Sequence, residues 1–593
     1  MLSLRNIQKF IKTFNVAKVT YKRSPFLSLA ILSPQIAFST SRESSPLKDN
    51  SQHDLNNLFQ NGLDSFKKNK LDESISYYKQ IINLSQKTQT TSNELNLVLQ
   101  AYKGLGDALR KKEELELAEK QYTEALSLMG ASNMSQSLDA GTLNNNLAEI
   151  YIEQSKFTEA ETCLENARKI FSQCRENEER FPKQIDNDLI KASLHEKQNE
   201  LETALEILKD LLRKIQISPK AHYKNFNIGS IYVRMGEIYN KMEEYSMASV
   251  HFIKGLEKTI EKYGESSIET IPFYEKVIEC LFEQGQYKEA GIYAEKSLEI
   301  CKDKLDNNNT ESGKHYFMLG LINFERGELN KALEYYQRAL SVLSNYPNQY
   351  LEEIIYSYLA ISEINLTLKE ESEAKKYYDH GLEFAIQNFG EDHPKIGDYY
   401  LFWADLIRQK EEKAQEFKDY LSKTLSIYLK SKDTDPSTII DLYFDLGTLN
   451  NKEGNLEEAA KCFQECINLS TKDGSRIKVI EKVYNFLGMI DFQKEEYENS
   501  IDHFKKALEI CLKSDDQRDL DVYYRNIGLA YDKKGVDEEV IAYFQKAFDI
   551  ALKKFGKKSQ ITRDYFEILV ERLARLERIE EIDKLRMQFN PDI

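Results

Sequence analysis

The sequence predicts an all-α fold: a solenoid of about twelve helix-turn-helix units closed by a C-terminal capping helix. Three observations predict it. Only 24 Gly and 10 Pro occur in 593 residues, too few for the turns of a strand-rich chain. Small residues recur at an average interval of about 42 through nearly the whole chain. Every proline from Pro182 to Pro436 falls between one recurring segment and the next, where a missing N–H and a fixed φ interrupt no helix.

Composition bounds the function. Hydrophobic residues make up 41% and charged residues 30%, enough to bury a core. The formal net charge of −16 argues against nucleic acid as the main partner, because a phosphate backbone needs a basic surface. No run of about 18 apolar residues occurs, so no membrane-spanning helix is expected. Tyr (35) and Phe (29) outnumber the single Trp, so rings of those two types dominate the expected core.

The first 42 residues differ from the rest. They carry Arg5, Lys9, Lys12, Lys18, Lys22, Arg23 and Arg42 and no acid. Leu4, Ile7, Phe10, Ile11 and Phe14 share one helical face. Residues 1–42 read as a mitochondrial presequence, and 43–53 as a Ser-rich linker. Two other readings compete: a secretory signal, whose apolar part Pro25 and Pro34 interrupt, and a basic tail on a cytoplasmic protein. The seven cysteines are scattered and odd in number, which fits reduced thiols.

Residues 54–555 hold the repeat. Its anchor falls at Gly62, Gly106, Ala148, Ala192, Gly236, Ile278, Gly320, Ser362, Ala404, Gly447, Gly488 and Gly528. Twelve residues on stands another small residue, as at Ser74, Ala118, Ala248 and Ser500, with Val540 the large exception. The ninth unit needs a one-residue insertion, which puts Phe417 there. Four residues later comes a bulky side chain such as Tyr78, Tyr122, Phe252 or Phe544, with Ala294 the small exception. Two small positions let paired helices approach closely; enlarging one costs about 1–3 kcal/mol by overpacking.

This pattern resembles the tetratricopeptide repeat, and the long period resembles the kinesin light chain subclass. So do the joints Gln387-Asn388-Phe389-Gly390-Glu391-Asp392-His393-Pro394, Glu261-Lys262-Tyr263-Gly264-Glu265 and Lys553-Lys554-Phe555-Gly556. The resemblance implies a right-handed superhelix whose first helices line a concave groove. It does not extend to motor binding, because no N-terminal heptad region is visible. Residues 556–593 read as capping helices and a tail, with Leu569, Leu573, Leu576, Ile579, Ile582 and Leu585 as the apolar face. A coiled-coil partner helix is the alternative there. The Asn-rich connection Lys302–Lys314 is a candidate hinge.

No catalytic set is visible. Gly104-Leu105-Gly106 has Leu109 where a dinucleotide fingerprint needs glycine. Gly556-Lys557-Lys558-Ser559 lacks the upstream glycine of a phosphate loop. Cys462 and Cys466 share a helix face but lack two further ligands. Neither cofactor nor metal is predicted. The candidate partner-binding residues lie on the first helix of several units: Lys103, Asn145, Asn146, Arg234, Asn485, Arg525 and Asn526. The run Leu143-Asn144-Asn145-Asn146-Leu147-Ala148 resembles the kinesin light chain helix that holds cargo peptide. An amide both donates to and accepts from a peptide backbone.

The expected function is therefore a non-catalytic scaffold or adaptor in mitochondria, an assembly factor or a structural subunit of a large complex. Its partners are protein or peptide. A cytosolic kinesin-light-chain-like cargo adaptor and a regulatory subunit of an enzyme remain as alternatives.

Overall fold

A computed structural model describes residues 49–589 apart from 86–91, 175–179, 220–222, 225, 306–308, 432–433, 474–475 and 515. The presequence-like segment, most of the linker and the centre of the candidate hinge lie outside these residues. The described chain divides into two compact units that meet at Gln349 and Tyr350 in the sequence.

The first unit holds fourteen α-helices: α1 Asp49–Lys67, α2 Leu71–Ser85, α3 Ser92–Lys111, α4 Leu115–Ala131, α5 Leu138–Glu153, α6 Phe157–Gln173, α7 Arg180–Lys197, α8 Leu201–Ile217, α9 Gly229–Lys241, α10 Tyr245–Tyr263, α11 Ile271–Glu283, α12 Tyr287–Lys304, α13 Thr310–Glu325 and α14 Leu329–Leu343. The second holds twelve: α15 Leu351–Thr367, α16 Glu371–Phe389, α17 Pro394–Ile407, α18 Ala414–Lys430, α19 Pro436–Lys452, α20 Leu456–Asp473, α21 Ile477–Gln493, α22 Tyr497–Lys513, α23 Leu520–Lys534, α24 Asp537–Phe555, α25 Gln560–Arg575 and α26 Ile579–Phe589. The described residues form no strand. Each odd-numbered helix (A) pairs with the even-numbered helix (B) that follows it.

The anchors work as expected. A Cβ on Gly62 would lie 2.9 Å from the Tyr78 ring, and one on Gly236 would lie 2.8 Å from that of Phe252. Tyr78 also closes on the next A helix, where a Cβ on Gly104 would come within 2.6 Å. The ring thus fills both its own pair and the seam to the next. Where the small residue is serine, its hydroxyl donates to a carbonyl across the pair: Ser74 to Gly62, Ser500 to Gly488 and Ser362 to Ala374, each at 2.8 Å.

The turn inside each pair has one design. Seven residues after the anchor the chain turns left-handed, as at Asn69, Glu113, Ser155 and Gly285. The next N–H reaches back to a carbonyl five residues earlier, as in Glu114 to Leu109 at 3.0 Å; this Schellman closure satisfies the end of helix A. The ninth pair departs from it: a 3-10 turn, Glu411–Lys413, takes up the inserted residue. The three joints that resemble kinesin light chains end α10, α16 and α24, each closed by a glycine at positive φ, Gly264, Gly390 and Gly556.

Two sequence expectations change. The C-terminal cap is a helix pair, α25 and α26, in phase with the repeat. Val570 takes the anchor place, Glu577 is left-handed seven residues later, and Ile582 takes the second small place. Leu569, Leu573, Ile582 and Leu585 are buried there, but Leu576 is only partly so and Ile579 is 67% exposed, because Ile579 opens the last helix. Several prolines also lie inside helices, though only in the first turn of an A helix, as at Pro182, Pro272, Pro394 and Pro436. The absent N–H has no helical acceptor there.

Candidate protein-binding surface on the inner helices

Three pairs of successive A helices touch closely, α1 with α3, α5 with α7 and α19 with α21, whereas no pair of successive B helices makes a comparable contact. A layer packed more closely on one side curves toward that side. Within each unit the A helices therefore form the inner face.

In the first unit that face is a chain of polar contacts from helix to helix. Arg110 of α3 pairs with Glu149 of α5. Lys183 of α7 reaches Asp139 of α5 at 3.3 Å. Arg234 of α9 meets Glu196 of α7 at 3.0 Å. Lys276 of α11 meets Glu237 of α9 at 3.5 Å. Every neighbouring pair of A helices from α3 to α11 is joined by at least one such link, and α7 and α9 by two, since Lys241 also pairs with Glu196.

The residues singled out in the sequence belong to these seams, and most are engaged. Lys103 lies 3.4 Å from Asp107, one turn along α3, and that carboxylate raises the lysine pKa. Asn146 donates to the same Asp107 at 3.2 Å, which also receives the Tyr122 hydroxyl. Arg234 also donates to Ser193. Burial pushes the Glu196 carboxyl up, but the charges of Arg234 and Lys241 outweigh it and hold the group below its ordinary range.

Asn145 is 3% exposed. Its oxygen accepts from Asn187 of α7 at 2.8 Å, and Asn187 also donates to the Leu164 carbonyl at 3.1 Å. It works in the seam between α5 and α7 and is not open to a peptide. In the second unit Asn526 of α23, also buried, donates to Asn485 of α21 at 2.8 Å and accepts from Arg525 at 3.1 Å. The first four candidates thus gather on the face α3–α9 of one unit, and the last three on α21 and α23 of the other.

The acids of this surface were missed. Asp107, Glu149, Glu237 and Glu279 each stand directly after an anchor, at Gly106, Ala148, Gly236 and Ile278. That phase was the available signal. Burial raises the Asp186 carboxyl to about 7, with Glu149 adding to the shift, while Glu279, whose side chain is 39% exposed, pairs with Lys276 at 3.6 Å.

Burial raises the thiols of Cys163, Cys280, Cys301, Cys462, Cys466 and Cys511, which favours their protonated form. Among the described residues no group of three or more His, Cys, Asp or Glu could hold a metal ion. No helix there is long and apolar enough to cross a membrane.

Comparison with known sequences decides the repeat type. Sequence models of the tetratricopeptide repeat match residues 270–345 and 479–553, and a second such model matches residues 440–473. These spans coincide with α11–α14, α21–α24 and α19–α20. The chain carries tetratricopeptide repeats. Two Arabidopsis thaliana proteins are similar to it. Protein KINESIN LIGHT CHAIN-RELATED 3 is 22% identical over 199 residues, 33% of this chain and 30% of that protein. Protein KINESIN LIGHT CHAIN-RELATED 2 is 22% identical over 173 residues, 29% of this chain and 26% of that protein. The chain thus spans under a third of the length of these relatives.

Among solved structures, the apo form of RapI is similar at a TM-score of 0.42, 16% identical, covering 64% of this chain and 99% of that one. BtubC (BKLC) from P. vanneervenii is similar at a TM-score of 0.31, 15% identical, covering 42% of this chain and 93% of that one. The tetratricopeptide architecture is that of a protein-binding scaffold.

Proposed function

We propose that this tetratricopeptide chain is a non-catalytic adaptor that holds a segment of a partner protein along the inner A-helix face of its first unit, as an assembly factor or structural subunit in mitochondria. The observation that carries the binding role is the continuous polar face from α3 to α11, built from side chains that keep donors and acceptors within reach of solvent. Glu237, for example, is 46% exposed there. The compartment rests on the basic, acid-free residues 1–42.

A photo-crosslinking residue placed at Glu237 tests the binding role in living cells, with Ile217, an 86% exposed position at the end of α8, as control. Discrete protein adducts from position 237 and none from 217 are expected. A folded chain without adducts at 237 overturns the reading. The compartment is tested by fractionation and N-terminal sequencing. A new N-terminus between Ser39 and Asn50 in protease-protected mitochondria is expected; an intact Met1 in the cytosol overturns it. That second outcome would favour a cargo adaptor on the kinesin light chain pattern, a reading supported by the two plant relatives.

A further inference from the structure

We infer that the outer face of the second unit, at α21–α24, binds an acidic segment of a partner through Lys505, Lys506 and Lys546, which four tyrosine rings hold in place. The inner-face reading concerns the first unit, so this goes beyond it.

The B helices form the outer side of each unit, and a slot opens between one and the next. Between α2 and α4 the slot is a hollow of about 270 Å³, floored by Tyr102 of α3 and walled by Gln121 and Glu124 of α4. These residues stand four before, 15 after and 18 after the anchor Gly106. The same places around Gly528 hold Tyr524, Tyr543 and Lys546, and around Gly488 they hold Tyr484, His503 and Lys506. Where that pair of the first unit has glutamate at the rim, these two pairs have lysine.

The side chains meet as the phase requires. Tyr524 lies 6.3 Å from Tyr543, which stacks on Tyr531 at 5.6 Å. Lys546 sets its ammonium 5.4 Å from the Tyr524 ring centre and 5.7 Å from that of Tyr543. Lys505 approaches from α22, donates to the Tyr531 hydroxyl at 3.0 Å and lies 5.4 Å from that ring centre. Lys506 lies 5.5 Å from the ring centre of Tyr484. A ring face holds an ammonium without neutralising it.

All three lysines are exposed, and Lys506 and Lys546 make no hydrogen bond or ion pair among the described residues. The acids nearby do not serve them. Asp491 pairs with His503 and Glu509 with Lys513, each at 2.7 Å. Glu539 sits in the first turn of α24, where the helix dipole favours negative charge. Asp502, one turn before them on α22, forms an ion pair with neither Lys505 nor Lys506. In a chain of net charge −16 this is a strip of placed cations without counter-charge. An ammonium only donates, so the ligand brings acceptor oxygens and negative charge, as Asp and Glu side chains do. Rings that already hold the lysines reduce the ordering that binding otherwise costs.

The test uses the full chain and a fluorescein-labelled twelve-residue peptide of alternating Glu and Gly, read by anisotropy at low salt. Peptides with Gln or Lys in place of Glu are the controls, and only the Glu peptide is expected to bind. Lys506→Gln combined with Lys546→Gln is expected to weaken it roughly fivefold. Lys553→Gln combined with Lys557→Gln removes the same charge from exposed positions outside the slots and is expected to change it by less than about twofold. All four lysines lie outside the core, so folding is preserved, and an unchanged Trp403 emission checks it. Equal losses in the two double variants, or no binding of the Glu peptide, overturn the proposal. Release of the peptide by millimolar inorganic phosphate at constant ionic strength would assign the strip to a phosphate group and overturn it as well. Adducts at position 237 decide the inner-face reading separately.

Discussion

Gly488 lies so close beneath the ring of Phe504 that a Cβ would come within 2.6 Å of both Cδ1 and Cε1. The ring is 2% exposed and cannot retreat into solvent. Gly488→Ala is therefore expected to lower stability by about 1–3 kcal/mol. Trp403, the only tryptophan, lies buried in the same unit, so its fluorescence follows denaturant unfolding there. Adding Phe504→Leu should recover part of the loss, since Ala148 with Leu164 and Ala192 with Leu208 occupy the same two positions in other pairs. No recovery would mean that the contact is not the cause.

The amide link between Asn187 and Asn145 predicts a cost at a distance from any surface. Asn187→Ala leaves the Asn145 oxygen and the Leu164 carbonyl without that donor. A buried polar group left unpaired costs about 1–3 kcal/mol. Hydrogen exchange in α5 and α7 should accelerate by the corresponding factor, while exchange in α13 stays unchanged.

Glu113 is held at φ +67, in the left-handed region that costs a side chain roughly 1–2 kcal/mol. Glycine there avoids the strain but adds freedom to the unfolded chain. Glu113→Gly is expected to stabilise the first unit by up to about 1 kcal/mol. Gly327→Ala, at φ +73 in the equivalent turn, should destabilise it. Thermal unfolding of both variants checks the pair of signs.

His315 is fully buried between α12 and α13. Its Nδ1 lies 2.8 Å from the Glu311 carbonyl and its Nε2 has no partner. Burial lowers its pKa; the Glu311 carbonyl and carboxylate oppose this, and Lys314 adds to it. The unfolded imidazole takes a proton near pH 6.5, before the folded one does. Stability from this group is thus present above about pH 6.5 and lost as pH falls through that value toward the folded pKa. Hydrogen exchange in α12 and α13 should accelerate from pH 7.5 to 5.5 beyond the intrinsic rate change. His315→Asn should flatten that dependence.

Lys375 places its ammonium 4.8 Å from the Tyr378 ring centre, 5.2 Å from that of Trp403 and 5.3 Å from that of Tyr420. Lys375→Met keeps the aliphatic stem and removes the charge. A loss of about 0.5–2 kcal/mol is expected, together with a shifted Trp403 emission. An unchanged spectrum would place the ammonium away from the indole.

The pairing of helices was legible because one steric rule repeats. Small residues stand where backbones meet, and a ring fills the place opposite. The exceptions follow the same rule: Ile278, a large anchor, comes with Ala294 at the ring position, and both are buried. The thirteenth pair was read only as a cap because Val570 and Ile582 replace both small residues; its turn, at Glu577, keeps the phase. The inner face was legible only in outline. Periodicity assigns a residue to helix A but does not say whether its side chain meets the neighbouring pair or water. Asn145 and Asn146 are consecutive, yet the first is sealed in a seam and the second is only partly covered.

The ion pairs that join α3 to α5, α5 to α7, α7 to α9 and α9 to α11 also have a mechanical meaning. Apart from the more buried Arg234–Glu196 pair, they are partly hydrated and individually weak, about 0–1 kcal/mol, and their range shrinks from about 10 Å at 0.1 M salt to about 3 Å at 1 M. Apolar contacts at the anchors are not weakened in this way. Added electrolyte therefore loosens the inner layer while the helix pairs stay intact, and the first unit behaves as a spring whose compliance is set by the ions around it.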